Sequence, residues 1–199
     1  MDTIDNKPNA DEQTSSRRET LIAAGIIAAL TLVVYGDVLL RFDQTVISSE
    51  RGDTALYFAP FRAFAADEMS QGNLPLWNPH VFSGSPFLGG FQSAMLYPPN
   101  LMYMILPASF ALNLDICAHT FLLGLFMFVW VRPRVRRPEA ALFAAVLMMF
   151  GGPYALRVLA GQLTMLSSLA YAPLLLIAID RVFEGVAEKR SVLGPVLLR

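Results

Sequence analysis

Four runs of this sequence are apolar over lengths close to what a helix needs to cross a bilayer, and few folds satisfy that. About 20 such residues cross the hydrocarbon core. The runs are 21–40, 110–131, 139–154 and 163–180. They predict an all-α fold: a polytopic membrane helical bundle of about four transmembrane helices. The charge agrees. Only 16% of residues are charged, against about 25% in soluble domains. The charges gather in residues 1–20 and between the apolar runs.

Residues 1–20 are polar, with Asp2, Asp5, Asp11, Glu12, Glu19, Lys7, Arg17 and Arg18. That composition predicts a disordered tail. The apolar run starts too late for a signal peptide, so it reads as a retained anchor. The membrane domain is then 21–199. Its last residues, 191–198, turn apolar again and read as the opening of a fifth span in a longer protein.

Basic residues orient the bundle. Arg132, Arg134, Arg136 and Arg137 crowd the loop after the second run, and Arg181, Lys189 and Arg190 follow the fourth. Arg17 and Arg18 precede the first. Cytoplasmic loops carry such excess. This predicts a cytoplasmic N-terminus and places the long 41–107 loop, and the turn near Arg157, on the outer face. With a net charge of -1 no basic face is large enough for nucleic acid. Cys117 is alone and lies in an apolar run, so it forms no internal disulfide.

The 41–107 loop is too polar to span and too aromatic to be disordered. From Asp53 to Gln71, Leu56, Phe58, Phe61, Phe64, Ala65 and Met69 recur at helical spacing against Asp53, Arg62, Asp67 and Glu68. This predicts an amphipathic interfacial helix. Beyond it, dense Pro and Gly predict turns.

Ordered long loops often carry function. Asp53 follows Gly52 at the head of the predicted helix. It is either a catalytic base or a plain N-cap. Asp115 and His119 share a helix face inside the second span, where ionisable groups are costly. Arg157 and Gln162 flank the turn between the last two spans and suit a lipid phosphate or interface anchoring. Trp77, His80, Gln92 and Tyr97 suit a sugar site or an aromatic belt. No phosphate-binding loop, dinucleotide fingerprint or hydrolase elbow is present. No cofactor is expected, and His80 and His119 make no convincing metal set.

The segment 52–107 contains GDTALYFAPF, GNLPLWNP, FSGSPF and QSAMLYPPN. Together these resemble the first outer loop of the bacterial YfhO family, polytopic proteins similar to the GT-C glycosyltransferases. AYAPL at 170–174 fits the same pattern, and the resemblance covers about 20–185. It implies a cell-envelope glycosyltransferase of the cytoplasmic (inner) membrane that takes a sugar from a polyprenyl-phosphate donor. Asp53 would match the family's acidic residue near the end of span one, and Arg157 would meet the donor phosphate. Where this chain has Gln162, the family pattern often has His. GT-C enzymes have many more spans than four, so the resemblance implies an N-terminal portion. Other readings are a lipid-carrier flippase, a non-catalytic assembly subunit or an inactive fragment.

Overall fold

The computed structural model describes residues 10–42, 45–49, 51–90 and 92–197, with the backbone alone for 10–15 and 187–197. The fold is an all-α bundle. Its helices are α1 (Ala10–Leu40), α2 (Ala59–Ser70), α3 (Ala108–Val131), α4 (Pro138–Phe150), α5 (Gly152–Ala160) and α6 (Leu163–Leu197). Four stretches are long and apolar enough to cross a membrane: Ser16–Leu40, Ala108–Arg134, Pro138–Ala160 and Leu163–Val186.

Helix α3 is central and packs against α1, α4 and α6. Its buried side chains reach both core clusters. Leu112, Ile116 and Leu123 join Tyr154, Leu163 and Leu166, while Phe128 joins Ile27, Ala145 and Met149. Small residues allow the close approach. A Cβ on Gly124 would land on the Met149 side chain, with Ile27 3.1 Å away. Small residues of this kind are typical of helix contacts in lipid.

Three boundaries differ from expectation. Helix α1 begins at Ala10, so 10–20 is helical and not a disordered tail; residues 1–9 lie outside the described residues. Once the apolar run has nucleated a helix, each added residue costs little. The third span is longer than 139–154. It breaks at Gly151, which is extended (φ -62°, ψ 152°), and resumes as α5 to Ala160. Helix α6 runs unbroken through 191–197, so these residues continue the fourth helix instead of opening another.

The connections sort to two ends of the bundle. At one end Arg132 Nε donates to Glu19 Oε2 over 2.7 Å, tying the arginine-rich loop to α1. Asp180 of α6 accepts from Trp130 Nε1 at 2.9 Å and also pairs with Arg134. At the other end lie the 41–107 segment and the α5–α6 turn. Gly161 in that turn adopts a left-handed conformation (φ +79°), and a Cβ there would strike the Thr54 backbone. Ser49 N–H donates to Leu159 O, 3.4 Å apart.

The 41–107 segment is ordered on α3. Buried Asn113 accepts from Ile47 N–H at 2.8 Å and donates to Thr45 O at 2.7 Å. The expected amphipathic helix is present, as a π-helical turn over Thr54–Phe58 followed by α2. Phe61 and Phe64 pack on buried Phe87, whose neighbours include Met95. A short hairpin pairs β1 (Trp77–Asn78) with β2 (Ser85–Pro86).

Candidate functional site

Two cavities open where the 41–107 segment meets the start of α6. The first, about 300 Å³, is lined by Asp53, Tyr57, Phe58, Gln92, Gln162, Thr164 and Met165. The second, about 280 Å³, is lined by Arg62, Ala94, Tyr97, Asn100, Thr164, Ser167, Ser168 and Tyr171. Thr164 belongs to both.

The first cavity gathers three residues singled out in the sequence. Asp53 occupies the N-cap position of the π-helical turn yet makes no side-chain capping bond. Its carboxylate is exposed, and among the described residues it has no hydrogen-bond or ion-pair partner. Gln92 and Gln162 bring amides, which both donate and accept. Arg157 Nη1 donates to Gln162 Oε1 at 2.5 Å and so orients that amide. A carboxylate that shares a cavity with two amides is suited to hydroxyl groups. Tyr57 lines the same wall, and burial raises its phenol pKa.

The second cavity ends a buried polar chain. Tyr97 Oη lies 2.5 Å from His119 Nε2 and 2.8 Å from Tyr171 Oη. His119 Nδ1 is 2.8 Å from both the main-chain oxygen and Oδ1 of Asp115. One N–H cannot serve two acceptors well. The helical i to i+4 geometry favours the main-chain oxygen, and Asp115 Oδ1 is left without a well-aligned donor. With Nδ1 protonated, Nε2 must accept, so Tyr97 donates to it and accepts from Tyr171. Burial, then Tyr171, raises the pKa of Tyr97.

Arg62 reaches this cavity from α2. Its place on a helix with Asp67 and Glu68 suggested a solvated face, but it is 3% exposed, while Leu56 is 67% exposed. The guanidinium carbon lies 5.4 Å from the Tyr103 ring centre and 6.0 Å from that of Phe58. Arg62 Nε and Tyr103 Oη make no hydrogen bond of good geometry among the described residues, yet they lie close enough to interact, and Tyr103 also interacts with Asp115. Burial lowers the Arg62 pKa, against the opposing pull of Tyr103 and Asp115.

The expected site residues therefore divide. Asp53, Gln92 and Gln162 share one cavity, Arg157 supports it, and Tyr97 lines the other. Trp77 and His80 line neither. Trp77 covers Gly84, where a Cβ would lie 2.7 Å from the indole. His80 is exposed and sits edge-on to Phe64, with 5.8 Å between ring centres. The sequence reading missed Arg62, Asn100 and Tyr171. One signal was present: Thr164, Ser167, Ser168 and Tyr171 recur at i, i+3, i+4 and i+7, a polar stripe on an apolar helix.

Fold and cavities define a class: an all-α protein with four membrane-length helices and two cavities between its long loop and the start of α6. No protein-family model, curated protein or solved structure matches the chain.

Proposed function

We propose that this chain serves glycosyl transfer at the outer face of a bacterial cytoplasmic membrane, with its N-terminus inside. The donor is a sugar on a polyprenyl phosphate, and the acceptor is a hydroxyl of the cell envelope. The observation that carries the reading is the cavity shared by Asp53, Gln92 and Gln162. Asp53 takes the proton of the acceptor hydroxyl as that oxygen attacks the anomeric carbon. The bond from that carbon to the phosphate oxygen breaks, and the lipid phosphate leaves. Gln92 and Gln162 hold sugar hydroxyls, with Arg157 steadying Gln162. The YfhO-like strings at 52–107 and the arginine-rich 132–137 loop support the family and the orientation.

A deletion strain complemented with wild type or Asp53→Asn at matched protein level tests the reading. Deletion should remove an envelope glycan that wild type restores and Asp53→Asn does not. An unchanged glycan after deletion overturns sugar transfer. Full restoration by Asp53→Asn overturns the role of Asp53.

A further inference from the structure

Asp115 and His119 are both buried in the membrane-length helix α3. Ionisable groups at such depth are costly and point to function, yet sugar transfer leaves this pair unused. Its contacts form one line. Asp115 Oδ1 stands 2.8 Å from His119 Nδ1, His119 Nε2 stands 2.5 Å from Tyr97 Oη, and Tyr97 Oη stands 2.8 Å from Tyr171 Oη. Both tyrosines line the cavity of about 280 Å³. The line therefore joins a buried imidazole to open space. Each hydroxyl carries one hydrogen, so the line has a direction. With His119 neutral, Tyr171 donates to Tyr97 and Tyr97 donates to Nε2. Among the described residues Tyr171 Oη makes no other hydrogen bond, so it meets the cavity as an acceptor. A proton that reaches Tyr171 moves each hydrogen one place along. The Tyr171 hydrogen passes to Tyr97, the Tyr97 hydrogen passes to Nε2, and the new proton stays on Tyr171. One proton is gained and no other atom moves between molecules. Nε2 then donates to Tyr97, Tyr97 donates to Tyr171, and the Tyr171 O–H is free to donate into the cavity.

We propose that His119 is a proton-binding site whose charge sets the direction of the Tyr97–Tyr171 hydrogen bonds, and through them whether the cavity wall at Tyr171 accepts or donates. The surrounding groups fit this role. Asp115 Oδ1 has no well-aligned donor in the neutral arrangement, and it is the counter-charge an imidazolium needs. Arg62 of α2 and Tyr103 face the same carboxylate and compete for it. Tyr154 of α5 and Tyr35 of α1 approach near Thr120, with Cys117 beside them. These phenols and this thiol bring no charge near neutral pH. Helix α4 contributes Glu139 alone, in its first turn beside the arginine-rich loop at the other end of the bundle. The carboxylate that responds to the imidazolium is therefore Asp115, and the path for its proton is the pair of hydroxyls. A ligand that brings a hydroxyl to donate suits the cavity when His119 is neutral, and one that brings an acceptor suits it when His119 is charged. The proton site does not depend on sugar transfer.

The chain has two histidines, His80 and His119, so histidine nitrogen spectra isolate the site. The test uses the isotope-labelled full chain in phosphatidylcholine nanodiscs, titrated from pH 8 to pH 4.5, with His80→Gln for assignment. At pH 8 His119 should carry its hydrogen on Nδ1. On acidification both ring nitrogens should become protonated, and the Tyr171 ring-carbon signal next to its hydroxyl should shift with the same midpoint. Asp115→Asn should lower that midpoint by about one unit or more, the scale of an opposite charge in contact. Tyr97→Phe should lower it by less and uncouple the Tyr171 signal. Should these variants melt early, Tyr171→Phe decides: it should keep the hydrogen on Nδ1, leave the midpoint within about half a unit, and leave the Tyr97 signal following it. A hydrogen on Nε2 at pH 8 overturns the proposal. So does a His119 that stays neutral to pH 4.5, a Tyr171 signal that does not follow His119 in wild type, or an unchanged midpoint in folded Asp115→Asn. A merely structural bond between Tyr97 and His119 would not carry the titration on to Tyr171.

Discussion

The Tyr97 hydroxyl, on the 41–107 segment, lies 2.5 Å from Nε2 of His119, a buried side chain of α3. One contact thus fastens the long loop to the central helix and orders one wall of the Arg62 cavity. Tyr97→Phe removes the donor and leaves His119 Nε2 without its partner. An unmatched buried acceptor costs about 1–3 kcal/mol. The expected outcome is a lower melting temperature in detergent and faster proteolysis within 41–107. Unchanged protease resistance would count against this anchoring.

Asn113 is the second anchor, bonding Ile47 N–H and Thr45 O. Asn113→Ala leaves both backbone groups without those bonds. A loss of about 2–6 kcal/mol is expected, for two groups at about 1–3 kcal/mol each. Thermal melts check it. Asn113→Asp keeps the acceptor for Ile47 but sets a second acceptor against Thr45 O and buries a carboxylate, so it should be no more stable than Asn113→Ala.

Gly161 brings the α5–α6 turn onto the head of the π-helical turn. Its φ of +79° and its contact with the Thr54 backbone both exclude a side chain. Gly161→Ala combines left-handed strain, about 1–2 kcal/mol, with a steric clash. Because the same turn carries Gln162, the cavity that Gln162 shares with Asp53 should be disturbed together with stability. A stable Gly161→Ala protein would contradict the close approach.

Gly124 predicts a rescue. Gly124→Val pushes against Met149 and should separate α3 from α4. Overpacking costs about 1–3 kcal/mol. Adding Met149→Ala should return part of that loss, as neighbouring sites couple. A double-mutant cycle of melting curves measures it, and strict additivity would refute the contact.

Alkaline pH should weaken the fold. Burial raises the Tyr97 and Tyr103 pKa values above the ordinary 10.0 of a phenol. Each therefore holds its proton more tightly folded than unfolded. The associated stability is complete below about pH 10 and is lost as pH rises further. Melting temperatures between pH 8 and pH 11.5 check this. Tyr103→Phe should flatten the decline.

Hydropathy and the arrangement of arginines were enough to predict four spans. They also predicted that the 41–107 loop and the 157–162 turn share one end of the bundle. These are local, additive properties: transfer to lipid depends on what each residue is, and little on its neighbours. Asp53, Gln92 and Gln162 were separately visible as polar residues in an apolar chain, but not as one cavity, since they come from distant segments. Arg62 shows the limit most clearly. Its own helix placed it among acids, and only the packing of Phe58, Tyr103 and the start of α6 around it made it a buried cation. Burial belongs to whatever covers a side chain. The polar stripe on α6 was legible as periodicity, whereas its partners Arg62 and Tyr97 were decided by the tertiary fold, because folding the loop back onto α3 and α6 is what brings them within reach.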